Sequence, residues 1–98
     1  MALFKTGMIV TTCGVKALMD SDILFRVGVQ QCLINHVNGD WGKLRENDKK
    51  LNDEALKAEK EGRMTDSLFS SYSIDGTEIY VITEWDRSVT TVLLPEEY

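Results

Sequence analysis

Ninety-eight residues bury about two-thirds of the surface an unfolded chain exposes, enough for one core and too little for two, so a single domain over residues 1–98 is expected. An apolar fraction of 43% beside 28% charged residues excludes the composition of disorder, and apolar runs such as Tyr80-Val81-Ile82 and Val92-Leu93-Leu94 fall far short of the ~20 residues a membrane helix needs. The net charge of −5 divides into +1 over residues 1–39, zero over 40–65 and −6 over 66–98, where Arg87 is the single cation; that disfavours nucleic acid and favours a protein partner with a basic surface.

Met1-Ala2-Leu3-Phe4-Lys5 has neither a long apolar stretch nor a small-residue cleavage site, so no secretory signal is read there. With that start and only Cys13 and Cys32, reduced thiols and a cytoplasmic location are expected.

Residues 5–12 end in the β-branched run Ile9-Val10-Thr11-Thr12 and read as a strand that Cys13-Gly14 closes. Val15 to Met19 suits about one turn of helix, after which Ser21 or Asp22 can cap a longer one. In residues 23–37, Phe25, Val29, Cys32, Leu33 and His36 recur at spacings of three and four, a single helical face, and Gly39 ends it. Gly28 inside that helix points to close backbone packing. Asn38-Gly39-Asp40-Trp41-Gly42 is a corner that must turn sharply around a large side chain.

Residues 47–61 give the clearest helix, with Leu44, Leu51, Ala55 and Ala58 on one stripe, Glu46–Lys50 and Asp53–Lys57 pairs outside, and Gly62 as the stop. The period then becomes two. Leu68, Tyr72 and Ile74 share a strand face interrupted by Ser70, Asp75-Gly76 is a type I′ hairpin signal, and residues 78–85 follow with apolar groups on both faces, as in a central strand. Asp86-Arg87-Ser88 turns the chain into residues 89–94, and Pro95 ends the last strand. The expected fold class is α+β: one strand, two or three helices packed on one face of the sheet, and a C-terminal antiparallel β-meander.

Few residues suggest chemistry. His36 lies four residues before Asp40, so imidazole and carboxylate could serve as base and orienter, with the Glu84–Arg87 turn completing a pocket; a structural histidine at a helix end is the competing reading. No close Cys or His pair offers a zinc site, and Cys32 on an apolar helix face reads as a buried hydrophobe, so neither metal nor cofactor is expected. No phosphate-loop, dinucleotide-loop or hydrolase-elbow glycine motif is present. Glu84, Asp86 and Arg87 on a strand-connecting turn could bind a partner or simply cap the turn. Trp41 is expected in the core, whereas Trp85, at a strand end, is a candidate exposed anchor. Glu96 and Glu97 extend the acidic segment.

Three blocks resemble a known family: His36 with Gly39-Asp40-Trp41-Gly42; Asp48, Asn52, Ala55 and Leu56; and Ser70, Tyr72, Asp75-Gly76-Thr77, Ile82-Thr83-Glu84, Asp86-Arg87-Ser88, Thr90-Thr91 and Leu93-Leu94-Pro95-Glu96-Glu97-Tyr98. Over residues 36–98 the chain is similar to small bacterial proteins of plasmids and other mobile elements, labelled plasmid-related. Some members carry the label of a type I restriction methylation subunit, which a chain this short with no cofactor-binding glycine motif does not fit. The sequence departs from the family pattern at Cys13, where a proline is expected, and in a longer connection over residues 57–67.

The resemblance, the small size and the acidic meander together imply a non-enzymatic interaction protein of a mobile element. Inhibition of a host defence nuclease, as by an anti-CRISPR or anti-restriction factor, would be one such role. Two alternatives stand beside it: a small enzyme with a pocket of His36, Asp40 and the Glu84–Arg87 turn, and a homodimer paired through a free edge of its sheet at the first or last strand.

Overall fold

The N-terminal β-branched run forms β1 (Met8–Thr11). From there a computed structural model, which describes residues 2–98, shows α1 (Cys13–Ser21), α2 (Ile23–Val37), α3 (Glu46–Lys60), β2 (Leu68–Ile74), β3 (Thr77–Thr83), β4 (Val89–Leu93) and a closing 3-10 turn at Pro95–Glu97. Met1, the first residue of the stretch read for a signal, lies outside the described residues. The strands form one sheet in the order β1-β4-β3-β2, with β1 parallel to β4 and the other pairs antiparallel. This is the expected α+β arrangement with its C-terminal meander.

Asp75 and Gly76 carry φ of 49° and 84°, the two positive values that a type I′ turn requires. They set a register in which Ile74 faces Thr77 and Leu68 faces Thr83. Ile79, Val81 and Thr83 of β3 then point into the core with Leu68, Ser70 and Tyr72 of β2 and with Thr90 and Val92 of β4. Tyr80, Ile82 and Phe69 occupy the opposite, partly open face, by the two-residue alternation of a strand.

Asp22 caps α2 by accepting from the Leu24 N–H at 2.9 Å, and the helix buries Phe25, Val29, Cys32 and His36 along one stripe. Gly28 allows α2 to lie close to β2: a Cβ there would stand 2.8 Å from Cγ2 of Ile74. Val15 of α1, Phe25, Val29 and Cys32 of α2, and Tyr72, Ile79, Val81 and Val92 of the sheet make the main core. A second cluster of Phe4, Trp41, Ala55 and Leu68 joins α3 and the N-terminal arm to it.

Several local expectations are corrected. Cys13-Gly14 opens α1 instead of closing β1, because a cap arrives from the far end of the chain. The Glu97 carboxylate accepts from the Gly14 N–H at 2.9 Å, from the Leu94 N–H at 3.0 Å and from the Thr12 hydroxyl. On α3, Glu46 reaches Lys49 at 3.8 Å rather than Lys50, while Asp53 accepts from the indole N–H of Trp41 at 3.1 Å. β4 is an inner strand, so the sheet edges are β1 and β2.

The β2 edge is covered at Phe69 and Ser71. The Asn52 side chain accepts from the Phe69 N–H at 3.2 Å and donates to the Phe69 carbonyl at 2.7 Å, mimicking a neighbouring strand. The Ser71 N–H donates to the Trp41 carbonyl, and the Lys43 N–H donates to the Ser71 carbonyl. Gly42, at φ 74°, sits in that second bridge, where a Cβ would fall 2.0 Å from the Ser71 carbonyl oxygen.

Candidate functional site

His36 is fully buried on the inner face of α2, with its ring edge-on to Phe4 and Trp41 at centroid distances of 5.3 and 5.6 Å. Nδ1 lies 2.5 Å from the Ser70 hydroxyl and Nε2 lies 2.9 Å from the Thr83 hydroxyl. Thr83 in turn lies 2.7 Å from the Thr90 hydroxyl, which donates to the Thr6 carbonyl at 2.8 Å.

A carbonyl can only accept, and that orients every proton in the chain of bonds. Thr90 spends its hydrogen on Thr6 and must accept from Thr83. Thr83 must therefore accept from the Nε2–H of His36, and Nδ1 is left to accept from Ser70. The imidazole is thus the neutral Nε2–H tautomer. Burial lowers its pKa from 6.5 to about 4, with the nearby Arg87 cation contributing in the same direction.

Asp40 takes no part in this network. Its side chain accepts from the Gly42 N–H at 3.1 Å and its carbonyl accepts from the Tyr72 hydroxyl. The base-and-orienter reading of His36 and Asp40 is therefore corrected. The pocket drawn from His36, Asp40 and the Glu84–Arg87 turn is not open to a substrate either, since His36 exposes no surface. Ser70, which interrupts the apolar face of β2, holds Nδ1.

Arg87 also points inward. It adopts φ 59° in the turn between β3 and β4 and is buried, donating from Nε to Glu59 at 2.8 Å, from Nη1 to the carbonyls of Asp66 and Glu84 at 2.9 Å each, and from Nη2 to the Thr65 hydroxyl at 3.2 Å. Its guanidinium carbon stands 5.9 Å from the centre of the Phe4 ring. One side chain thereby ties the turn to the end of α3, to the loop before β2 and to the N-terminal arm.

The remaining turn residues face out. Glu84, Trp85 and Asp86 are exposed, Trp85 at 59%. Asp86 accepts from the N–H and hydroxyl of Ser88, which holds its carboxyl below the usual carboxylate range. Glu96 is exposed, but it follows β4 whereas Glu84 and Asp86 precede it, so the two acidic groups occupy opposite ends of that strand. Glu97 is committed to the cap of α1, with its carboxyl held low chiefly by the Thr12 hydroxyl. Trp41 is buried at 3%.

Sequence reasoning missed a groove of about 540 Å³ between α3 and the approach to β2. Leu51, Ala55, Ala58 and Phe69 line it, and Asp48, Glu54 and Asp66 contribute carboxylates, with no Lys or Arg in the lining. Leu51, on the apolar stripe of α3, is 62% exposed, and Met64 is 92% exposed. The legible signal was the length of the 57–67 connection, which carries Met64 and Asp66. Arg87 bonds both the Asp66 and the Glu84 carbonyls, so the groove adjoins the exposed turn.

Burial lifts the Cys32 thiol to about 11, which keeps it protonated. Among the described residues no group of three or more His, Cys, Asp or Glu is disposed to hold a metal ion, and no helix is long and apolar enough to cross a membrane. Comparison with protein families, curated proteins and solved structures returns no match to this chain.

Proposed function

We propose that this chain is a non-enzymatic interaction protein of a mobile element that engages a basic protein surface. The observation that carries the reading is the division of labour among its polar groups. His36 and Arg87 are spent inside the scaffold, while Glu84, Asp86 and Asp66 stand outside around a turn that Arg87 fixes from within. A pinned acidic turn beside an exposed Trp85 suits recognition of a cationic surface.

Inhibition of a host defence nuclease, in the manner of an anti-CRISPR or anti-restriction factor acting in the cytoplasm, is the role proposed for that surface. The test counts transformants of a targeted plasmid in strains carrying a CRISPR nuclease or a restriction enzyme. The chain should raise the count in one of them, and the double variant Glu84→Lys, Asp86→Lys should not. Equal counts with and without the chain in both strains contradict the defence role, and full rescue by the double variant contradicts the acidic surface.

A homodimer is the second reading, favoured by the contrast between the two sheet edges. β2 is covered at Phe69 and Ser71 by Asn52 and the Trp41–Lys43 segment. The Met8 N–H of β1 donates to the Ser88 carbonyl just before β4, and the Thr12 N–H just after β1 donates to Val92 of β4, so by alternation Ile9 and Thr11 turn their backbone groups to the outer edge. Ile9→Pro blocks that edge without touching the β1–β4 bonds. The mass in solution should be that of a dimer and fall to a monomer in this variant; a monomeric parent chain ends the reading.

A further inference from the structure

We infer that the groove between α3 and β2 is a docking site for a basic amphipathic helix of a protein partner. The inference rests on the interaction reading above and names the surface and the chemistry of its occupant.

The walls are unlike. One is a face of α3, where Asp48, Leu51, Ala55 and Ala58 follow each other at spacings of three and four. The other is the 64–67 segment with Phe69, and Tyr98 also lines the groove. The alanines keep the floor low, while Leu51 and Met64 stand up from it with most of their surface in water. The groove thus offers apolar area to a ligand that brings its own.

Charge selects the ligand. Asp48, Glu54 and Asp66 are all exposed, and the lining contains no cation. An anionic or neutral apolar segment would remove water from these carboxylates with nothing in exchange, whereas Lys or Arg flanking an apolar stripe would pair with them.

Backbone geometry decides between strand and helix. An extended segment added to β2 would need the backbone groups of Phe69 and Ser71, and Asn52, Trp41 and Lys43 already hold these. The occupant must be recognised through side chains alone. An amphipathic helix, with its own backbone bonds satisfied, meets that condition.

The test titrates the ¹⁵N-labelled chain with a synthetic amphipathic helix of Lys and Leu, with a scrambled peptide of the same composition and with a Glu-for-Lys analogue. The amphipathic cationic peptide should shift the amides of Leu51, Ala55, Met64, Phe69 and Tyr98. The triple variant D48K, E54K, D66K should weaken its binding about tenfold or more, from three surface charge pairs lost and reversed. Leu51→Gln, an exposed replacement that leaves the fold intact, should weaken it as well.

Equal binding of the scrambled peptide, or affinity unchanged in both variants, overturns the inference. Shifts confined to Glu84, Trp85 and Asp86 also overturn it but leave the acidic interaction reading standing. An absence of binding to any cationic peptide counts against both.

Discussion

The Nε2 nitrogen of His36 lies 2.9 Å from the Thr83 hydroxyl and donates to it, a direction imposed by two further threonine contacts that end on the Thr6 carbonyl. The chain's one histidine is thereby a structural joint between α2, β2, β3, β4 and the N-terminal arm. A protonated ring would carry a hydrogen on Nδ1 facing Ser70, so the hydroxyl would have to reverse and its own hydrogen would need a new acceptor.

Stability should therefore depend on pH through this residue. His36 takes up its proton at about 4 when folded against 6.5 for the ordinary side chain, so between those values the unfolded chain binds the extra proton. Its contribution is complete above about 6.5 and is lost as pH falls through 4, by about 3 kcal/mol in all. Urea unfolding at a series of pH values should show this slope, and His36→Gln should flatten it.

Removing the acceptor of the ring N–H should cost stability without a change of shape. Thr83→Val leaves Nε2–H buried with no partner, for a loss of about 2 kcal/mol, while Thr83→Ser should recover most of it. Midpoints of denaturant unfolding, compared at equal slope, measure both.

At Arg87 the fork matters as much as the charge. Arg87→Lys keeps the cation but cannot reach Glu59, Asp66, Glu84 and Thr65 together, and a loss of about 2–3 kcal/mol is expected. Thermal unfolding of the two proteins gives the comparison, and a Lys variant as stable as the parent would remove Arg87 from its place as the pin.

The Asn52 clamp should be visible in hydrogen exchange. In Asn52→Ala the Phe69 amide loses its acceptor at the β2 edge and should exchange at least about tenfold faster, with a stability loss of about 1–3 kcal/mol. Amides of β3 that bond only to β4 should keep their protection relative to the global unfolding limit.

What could be read in the sequence was what neighbours in the chain decide. The bounds of α2 follow from Asp22, from the spacing of Phe25, Val29, Cys32 and His36, and from Gly39 after its end. Asp75-Gly76 carries its own turn geometry. The partners of His36 are 34 and 47 residues away, and the Glu97 cap on α1 spans 83, so no local pattern announces them.

Arg87 was hidden for another reason: a left-handed turn position held by a non-glycine residue is secured by its side chain's distant contacts, which the Asp-Arg-Ser turn pattern does not encode. Leu51 obeyed the helical stripe and still came out exposed, because α3 packs mainly through Asn52, Ala55 and Ala58. The stripe is wider than its neighbour, and the excess is the groove.

The most direct test of the central claim, that the one histidine is a neutral structural joint of the fold, is ¹⁵N NMR of the His36 ring across a pH titration. The account predicts a single Nε2–H tautomer that does not titrate until pH approaches about 4. A ring that titrates near 6.5 with both tautomers populated would contradict it.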